Sequence, residues 1–533
     1  MKQSGLLDDA SANVLGLEWL IAAIAPVSPY GERLFAELHP FANGEGGQAE
    51  ARARTIAQLA ARLEDDLLET VRAVLRDLPD AAGAIARASM GDVLDDPHFL
   101  ELRRFCATIG RIDELLEGLY RPGISNAAIR AVGAALEIGT RKKVDFYLDD
   151  GFDPQLAVAR DRLRREQAEL DASRGRESER AVRELGREEI SGEQFIVMRD
   201  ELRAALPAGI RVVREAPTYL LCALEYGELS QAALARRDNA ADSVAAAEER
   251  VRERLSTLVR EHAAGLDEAT RTLGELDVLV AAARYTRIHR CTPATIAAEP
   301  VLAFEQARFL PLETELLAAG RSFVPIDLDL HDAVVLTGPN MGGKSVSLQT
   351  GGFIALCAAL GLPVPAVRAR TALFDQIAWV GLGRDAQIGG LLSSFAREVL
   401  ELKAILARGS PRLLILADEF ARTTTPHEAR ALLVALLERL RELGACGMLA
   451  THLAGIAAAA GARHFAVRGL RGIPQRPPTQ DVGEALAALA DAMDYTIAEV
   501  SGDETPRGDA IALTALLGLD GEFVDAAYRA LVE

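Results

Sequence analysis

Apolar residues recur at three- and four-residue intervals from Ala10 to about Thr140, and that spacing predicts helices. The stretch VLGLEWLIAAIAPVSPYGERLFAEL shows it, interrupted at Pro26 and Pro29, and TIAQLAARLEDDLLETVRAVLRDL shows it again. NGEGGQ, from Asn43, reads as the loop between them. Two charge-rich stretches follow, one from Ala159 and one from Ser243, each with the alternating charge of a long solvated helix. Between them GIRVVREAPTYLLCALEYGEL, from Gly209, carries β-branched and aromatic residues and predicts extended chain. Helix out, extended tip and helix back describe either a projecting arm or an ordinary helical hairpin, and the pattern alone weighs the two equally.

After about Arg321 the period changes. AVVLTG, QIAWVGLG, RLLILADE, GMLATH and HFAVRGL are short apolar runs of strand length, several followed by helical spacing. That alternation predicts a mostly parallel α/β sheet flanked by helices. PQRPPTQD, from Pro474, predicts a loop, and the end of the chain predicts two short helices joined at LGLDGE. The expected organisation is a helical core domain over 1–150, a lever and short helical arm over 151–275, a return to the core over 276–320, and an α/β domain over 321–533.

Composition narrows the picture. A chain of 533 residues exceeds what one core serves, and 49% hydrophobic residues suffice for several cores. Only 5% are aromatic, which favours Ala- and Leu-rich helices. The net charge of -19 repels a phosphate backbone unless basic residues gather on one face. Cys106, Cys222, Cys291, Cys357 and Cys446 are widely spaced and odd in number, as expected of buried thiols in a reducing compartment. No stretch reads as a signal peptide or membrane span, so a soluble, cytoplasmic protein is expected.

The sharpest chemical signal is GPNMGGKS, from Gly338 to Ser345, which matches G-x-x-x-x-G-K-S between a predicted strand and a predicted helix. Glycines let successive backbone N–H groups turn toward phosphates, and the helix N-terminus adds a favourable partial charge. In that setting Lys344 is expected to bridge the β- and γ-phosphates of ATP, and the Ser345 hydroxyl to bind Mg²⁺. RLLILADE then supplies Asp418 as a metal partner at a strand end and Glu419 to polarise the attacking water. His452, at the end of GMLATH, would face the ligand crevice of such a sheet and sense the γ-phosphate.

These residues resemble the MutS ATPases. TGPNMGGKS is similar to that family's phosphate loop, LLILADEFAR to its acidic strand, and ATHLAGI to its histidine segment. GLLSSFAREVLELKAIL, from Gly390, resembles the loop and helix that reach a partner subunit's nucleotide, and SFVPIDLDL, from Ser322, the segment whose aromatic residue stacks on adenine. The resemblance implies a P-loop ATPase domain behind a mainly helical core and lever. It implies a nucleotide set of Phe323, Gly338, Pro339, Asn340, Met341, Gly342, Gly343, Lys344, Ser345 and Val346, with Ser393 and Ser394 acting on ATP bound to a second MutS-like subunit. The terminal helices resemble the family's dimerising pair, in a homodimer or a heterodimer.

Three features depart from the family pattern. The chain reads as core-like helices from the start, and its earliest Phe-x-Glu, Phe35-Ala36-Glu37, lies within that helical pattern, so the family's mismatch reader is not expected in it. Where the family carries Gly-x-Gly-Thr-Ser after the acidic pair, this chain has Ala421-Arg422-Thr423-Thr424-Thr425. The arm carries mixed charge rather than a basic stripe. Two clients therefore stand open: DNA, as for the family, or a protein. The ARTTTPHEA and MDYTIAEV segments resemble a MutS-like branch linked to reactivation of cobalamin-dependent aminomutases.

Overall fold

The computed structural model describes residues 5–120, 124, 126–138, 145–190, 192, 194–202, 205–339, 342–381, 394–470, 492–500, 511, 514 and 519–532. The chain divides into two compact units: one comprises 1–77, 115–122 and 273–533, and the other comprises 78–114 and 123–272.

In the second unit the helices Pro154–Leu185 and Glu228–Glu261 run antiparallel, with a three-stranded sheet between them in sequence. Its strands are β1 (Gln194–Met198), β2 (Ile210–Glu215) and β3 (Tyr219–Leu224), in the order β1-β3-β2 with antiparallel pairings. Pattern reading recognises extended chain at β2 and β3 and passes over β1. The first long helix starts and stops on local signals. Asp153 caps the first through the Gln155 N–H, Pro154 sits at its first position, and Gly186 ends it at φ 69°. The helices meet along a stripe of small residues. Ala233, Ala240 and Ala247 recur every seven positions and are 2%, 0% and 1% exposed, which lets two backbones approach closely. The Ser173 and Ser230 hydroxyls bond at 2.8 Å within that seam.

The first unit holds the N-terminal helices and two sheets. Ser28 caps the helix Pro29–Ala36 by accepting from the Gly31 N–H at 3.0 Å, so Pro29 starts this helix rather than merely breaking the previous one. The carboxylate of Asp277, fully buried on the helix Ala263–Ile288, accepts from the backbone N–H groups of Val27 at 3.0 Å and Ser28 at 2.6 Å. That contact spans some 250 residues of sequence and fastens the entry segment to the returning helix.

A four-stranded sheet orders as β4-β8-β5-β6, from β4 (Thr295–Ala297), β5 (Leu302–Ala307), β6 (Ile326–Leu330) and β8 (Arg368–Ala372). These strands go unrecognised in the pattern because only one face is buried. In β6 just Ile326, Leu328 and Leu330 turn inward, between two exposed aspartates. The six-stranded sheet orders as β13-β12-β7-β11-β10-β9. Its members are β7 (Ala333–Thr337), β9 (Gln376–Gly381), β10 (Leu413–Asp418), β11 (Cys446–Ala450), β12 (Arg463–Leu470) and β13 (Met493–Glu499). All pair in parallel except β13, which runs antiparallel to β12. The five apolar runs named above are five of these six strands. β7, β10 and β11 are buried throughout, as a sheet covered on both faces requires.

All five cysteines are free and buried. Among the described residues no helix is long and apolar enough to cross a membrane.

Candidate nucleotide site

Parallel pairing sets the register from which the site follows. Asp418 lies opposite Ala450, and Ala450 opposite Leu336. The C-terminal ends of β7, β10 and β11 therefore open on one edge of the sheet, where ligands of open α/β sheets bind. Gly338, Glu419 and Thr451 are the next residues out of those strands. The Glu419 N–H donates to the Ala450 carbonyl and the Thr451 N–H to the Leu336 carbonyl, both at 3.0 Å, so the ladder extends into the turns.

The helix Lys344–Ala359 starts at Gly343, which sits at φ 90°. A side chain there would be strained by the backbone, and its Cβ would stand 3.2 Å from Cδ1 of Tyr495. Lys344 is only 6% exposed. Its ammonium donates to the carbonyls of Gly338 at 2.9 Å and Pro339 at 3.0 Å, spanning the loop from within. Burial lowers its pKa, and the nearby Glu419 and Asp418 carboxylates oppose that shift.

The Ser345 hydroxyl donates to Oδ2 of Asp418 at 2.7 Å. Asp418 is 3% exposed, and its Oδ1 is buried with no hydrogen-bond partner among the described residues. Burial raises its pKa, and the Ser345 bond pulls it back. Gly381, at the end of the neighbouring β9, makes room for this strand end. At φ 108°, a Cβ there would lie 2.1 Å from the Asp418 carbonyl oxygen.

Glu419 is half-buried, with Oε1 4.0 Å from Nδ1 of His452 and Oε2 3.8 Å from Nη1 of Arg422. Glu419, Arg422, Thr424, Thr451 and His452 border one cleft of about 40 Å³, which has room for water but not for a nucleotide. Thr425 caps the helix Pro426–Leu443, and both the Thr424 and Thr425 hydroxyls donate to Oε2 of Glu428, at 2.8 and 2.7 Å. Thr-Pro-His-Glu has the sequence of a capping box, but the glutamate accepts from the threonine hydroxyls rather than from the N-cap N–H.

The structure thus brings Gly338, Pro339, Gly342, Gly343, Lys344, Ser345, Asp418, Glu419 and His452 to one sheet edge, with Val346 in the first turn of the helix behind them. Phe323 is half-buried in the segment before β6, and no described contact joins it to the loop. Asn340, Met341 and Ser393 lie outside the described residues, as do the PQRPPTQD loop and most of the first C-terminal helix; Ser394 is described only as the start of the helix Ser394–Leu406. Three neighbours escape sequence reasoning. Tyr495 rests against Gly343. His464 bonds through Nε2 to the Thr337 hydroxyl at 2.8 Å, below the loop. Glu398 accepts the Ala421 N–H at 2.9 Å. All three lie in segments noted in the sequence, Glu398 in GLLSSFAREVLELKAIL, His464 in HFAVRGL and Tyr495 in MDYTIAEV, but nothing local marks these particular residues as neighbours of the site.

The profile of MutS domain V matches residues 334–468, a span that includes Lys344, Ser345, Asp418, Glu419 and His452. The chain is 30% identical over 314 residues to the endonuclease MutS2 of Pelotomaculum thermopropionicum, covering 57% of this chain and 38% of that one. It is 28% identical over 439 residues to the DNA mismatch repair protein MutS of Nitrobacter hamburgensis, covering 75% and 47%. Against the Thermus thermophilus DNA mismatch repair protein MutS the identity is 35% over 206 residues, covering 38% and 24%. The chain spans less than half the length of each of these relatives. Motif, strand register and similarity agree that residues 334–468 are similar to MutS domain V.

Proposed function

We propose that the chain binds and hydrolyses ATP with Mg²⁺, and that nucleotide state switches the conformation of a dimer. The observation that carries this reading is the Ser345–Asp418 pair with its orphaned Oδ1. An all-oxygen donor set that includes an unsatisfied buried carboxylate oxygen suits a hard divalent cation. Ser345 and Asp418 would hold the Mg²⁺, which when bound neutralises phosphate charge. Gly338 to Ser345 would cradle the phosphates with backbone N–H groups, and Lys344 would exchange its two loop carbonyls for phosphate oxygens. Phe323 would lie against the adenine. Glu419 would orient water in the adjoining cleft, with His452 near the γ-phosphate. Ser393 and Ser394 would serve the site of a second subunit. On the last helix, Gly521–Val532, Phe523 is 60% and Leu531 68% exposed, an apolar surface that supports association.

Relatives named for DNA mismatch repair make DNA the first client to test. A protein client is the second reading, and the arm favours it. Arg160 pairs with Asp150 and Glu248, both at 2.8 Å, and Arg236 with Glu166 and Glu169 at 3.0 and 2.9 Å. Arginines so paired have little charge left for a phosphate backbone. An aminomutase of the cobalamin-dependent class is the protein that the sequence resemblance raises.

The test is ATP turnover by the purified chain. Wild type is expected to hydrolyse ATP only with Mg²⁺, and Glu419→Gln to hold ATP while turnover falls by about 100-fold or more. Normal turnover by Glu419→Gln refutes the assignment. DNA stimulation that fades between about 50 and 200 mM salt identifies a DNA client; stimulation by the aminomutase but not by DNA identifies the protein client.

A further inference from the structure

The turn after Asp418 is held in an unusual shape. Glu419 sits at φ 52° and Ala421 at φ 61°, both in the left-handed region. Residues with a β-carbon are disfavoured there and persist only where their surroundings over-determine them. Inside the turn, the Glu419 carbonyl accepts from Arg422 at 3.2 Å and the Ala421 carbonyl from Thr424 at 3.1 Å.

Among the described residues, hydrogen bonds reach the turn from two outside elements. One bond is the Glu419 N–H to the Ala450 carbonyl at 3.0 Å, which ties the turn to β11. The other is the Ala421 N–H to Oε2 of Glu398 at 2.9 Å, which ties it to the helix Ser394–Leu406. Ala421 is 0% exposed and Phe420 3%, so water cannot stand in for that acceptor. A buried peptide N–H left without a partner would favour another backbone conformation.

We propose that Glu398 is a positioning residue: its carboxylate holds the Ala421 N–H and so keeps the turn in the shape that aims Glu419 into the cleft beside His452. This rests on the reading of Glu419 as the group that orients water. Glu398 touches neither substrate nor reacting atoms. It acts through the backbone two residues beyond Glu419, from a helix outside the phosphate loop and the acidic strand. Any displacement of that helix would be felt at Glu419.

The acceptor role separates from a charge role in two conservative variants of the full chain. Glu398→Gln keeps an oxygen that accepts the bond and loses the charge. Glu398→Asp keeps the charge and withdraws the acceptor by one methylene. Glu398→Asp is expected to lower kcat by about 10- to 100-fold, with the Kd for MgATP unchanged in equilibrium dialysis. Glu398→Gln is expected to stay near wild type. Combined with Glu419→Gln, Glu398→Asp should add no further loss, because both act through one carboxylate.

Wild-type kcat in Glu398→Asp, a larger loss in Glu398→Gln than in Glu398→Asp, or additive losses in the double variant would overturn the proposal. Wild-type protein without ATPase activity, or Glu419→Gln with normal turnover, would instead overturn the reading of the site itself.

Discussion

The edge of the six-stranded sheet and the two-helix arm are built on opposite principles. At the sheet edge, Lys344 and Asp418 are buried and held by specific partners: Lys344 by two loop carbonyls, Asp418 by the Ser345 hydroxyl. On the arm, charged groups are largely solvated and paired with one another, as Arg236 is with Glu166 and Glu169, while small apolar residues make the seam. Buried charge is costly and is kept where chemistry requires it. Exposed pairs contribute little to stability and cancel each other's fields. The contrast explains why the sequence points to a candidate site more readily than to a client.

The comparison can be broken most directly at Lys344. Lys344→Ala removes the only described ammonium within the loop and should lower kcat/KM for ATP by about 100-fold or more, measured by phosphate release. A smaller loss would mean that the buried ammonium is structural.

Next comes Gly381→Ala, which places a methyl on the Asp418 carbonyl at a backbone angle that disfavours it. An unfolding free energy lower by about 2–4 kcal/mol is expected, read from urea denaturation. If stability stayed unchanged, the β9–β10 end would be more yielding than a packed active edge should be.

The smallest effect is predicted on the arm. Arg236→Ala, which breaks two exposed ion pairs, should leave the thermal midpoint within error of wild type. A clear drop would show that ion pairs, rather than the alanine seam, hold the two helices together.

Local signals made much of the site legible. The glycine-rich loop is a contiguous segment, and the acidic pair follows a fully buried apolar run, so neither needs long-range information to be noticed. The parallel sheet was legible for the same reason, because strands buried on both faces read as unbroken apolar runs. The four-stranded sheet was not, since IDLDL and LAFEQA alternate and their meaning depends on which partner covers the apolar face. β13 was missed because MDYTIAEV contains too many polar positions to stand out, and its antiparallel pairing with β12 is a tertiary fact.

Glycine loss after the acidic pair was visible in the sequence, but its consequence was not. That Ala421 adopts a left-handed angle, and that Glu398 accepts its N–H, depends on a helix more than twenty residues upstream arriving at that turn. Asp277 makes the same point in the core. Nothing around it marks it as the acceptor for Val27 and Ser28.

By itself, the sequence determined the elements whose physics is local: helices with their caps, strands buried on both faces, and a loop whose backbone freedom is written in its glycines. Tertiary structure alone decided which separate segments meet: Ser345 with Asp418, Tyr495 with Gly343, and Glu398 with Ala421. Those contacts are set by parallel register and by burial, which no window of sequence contains.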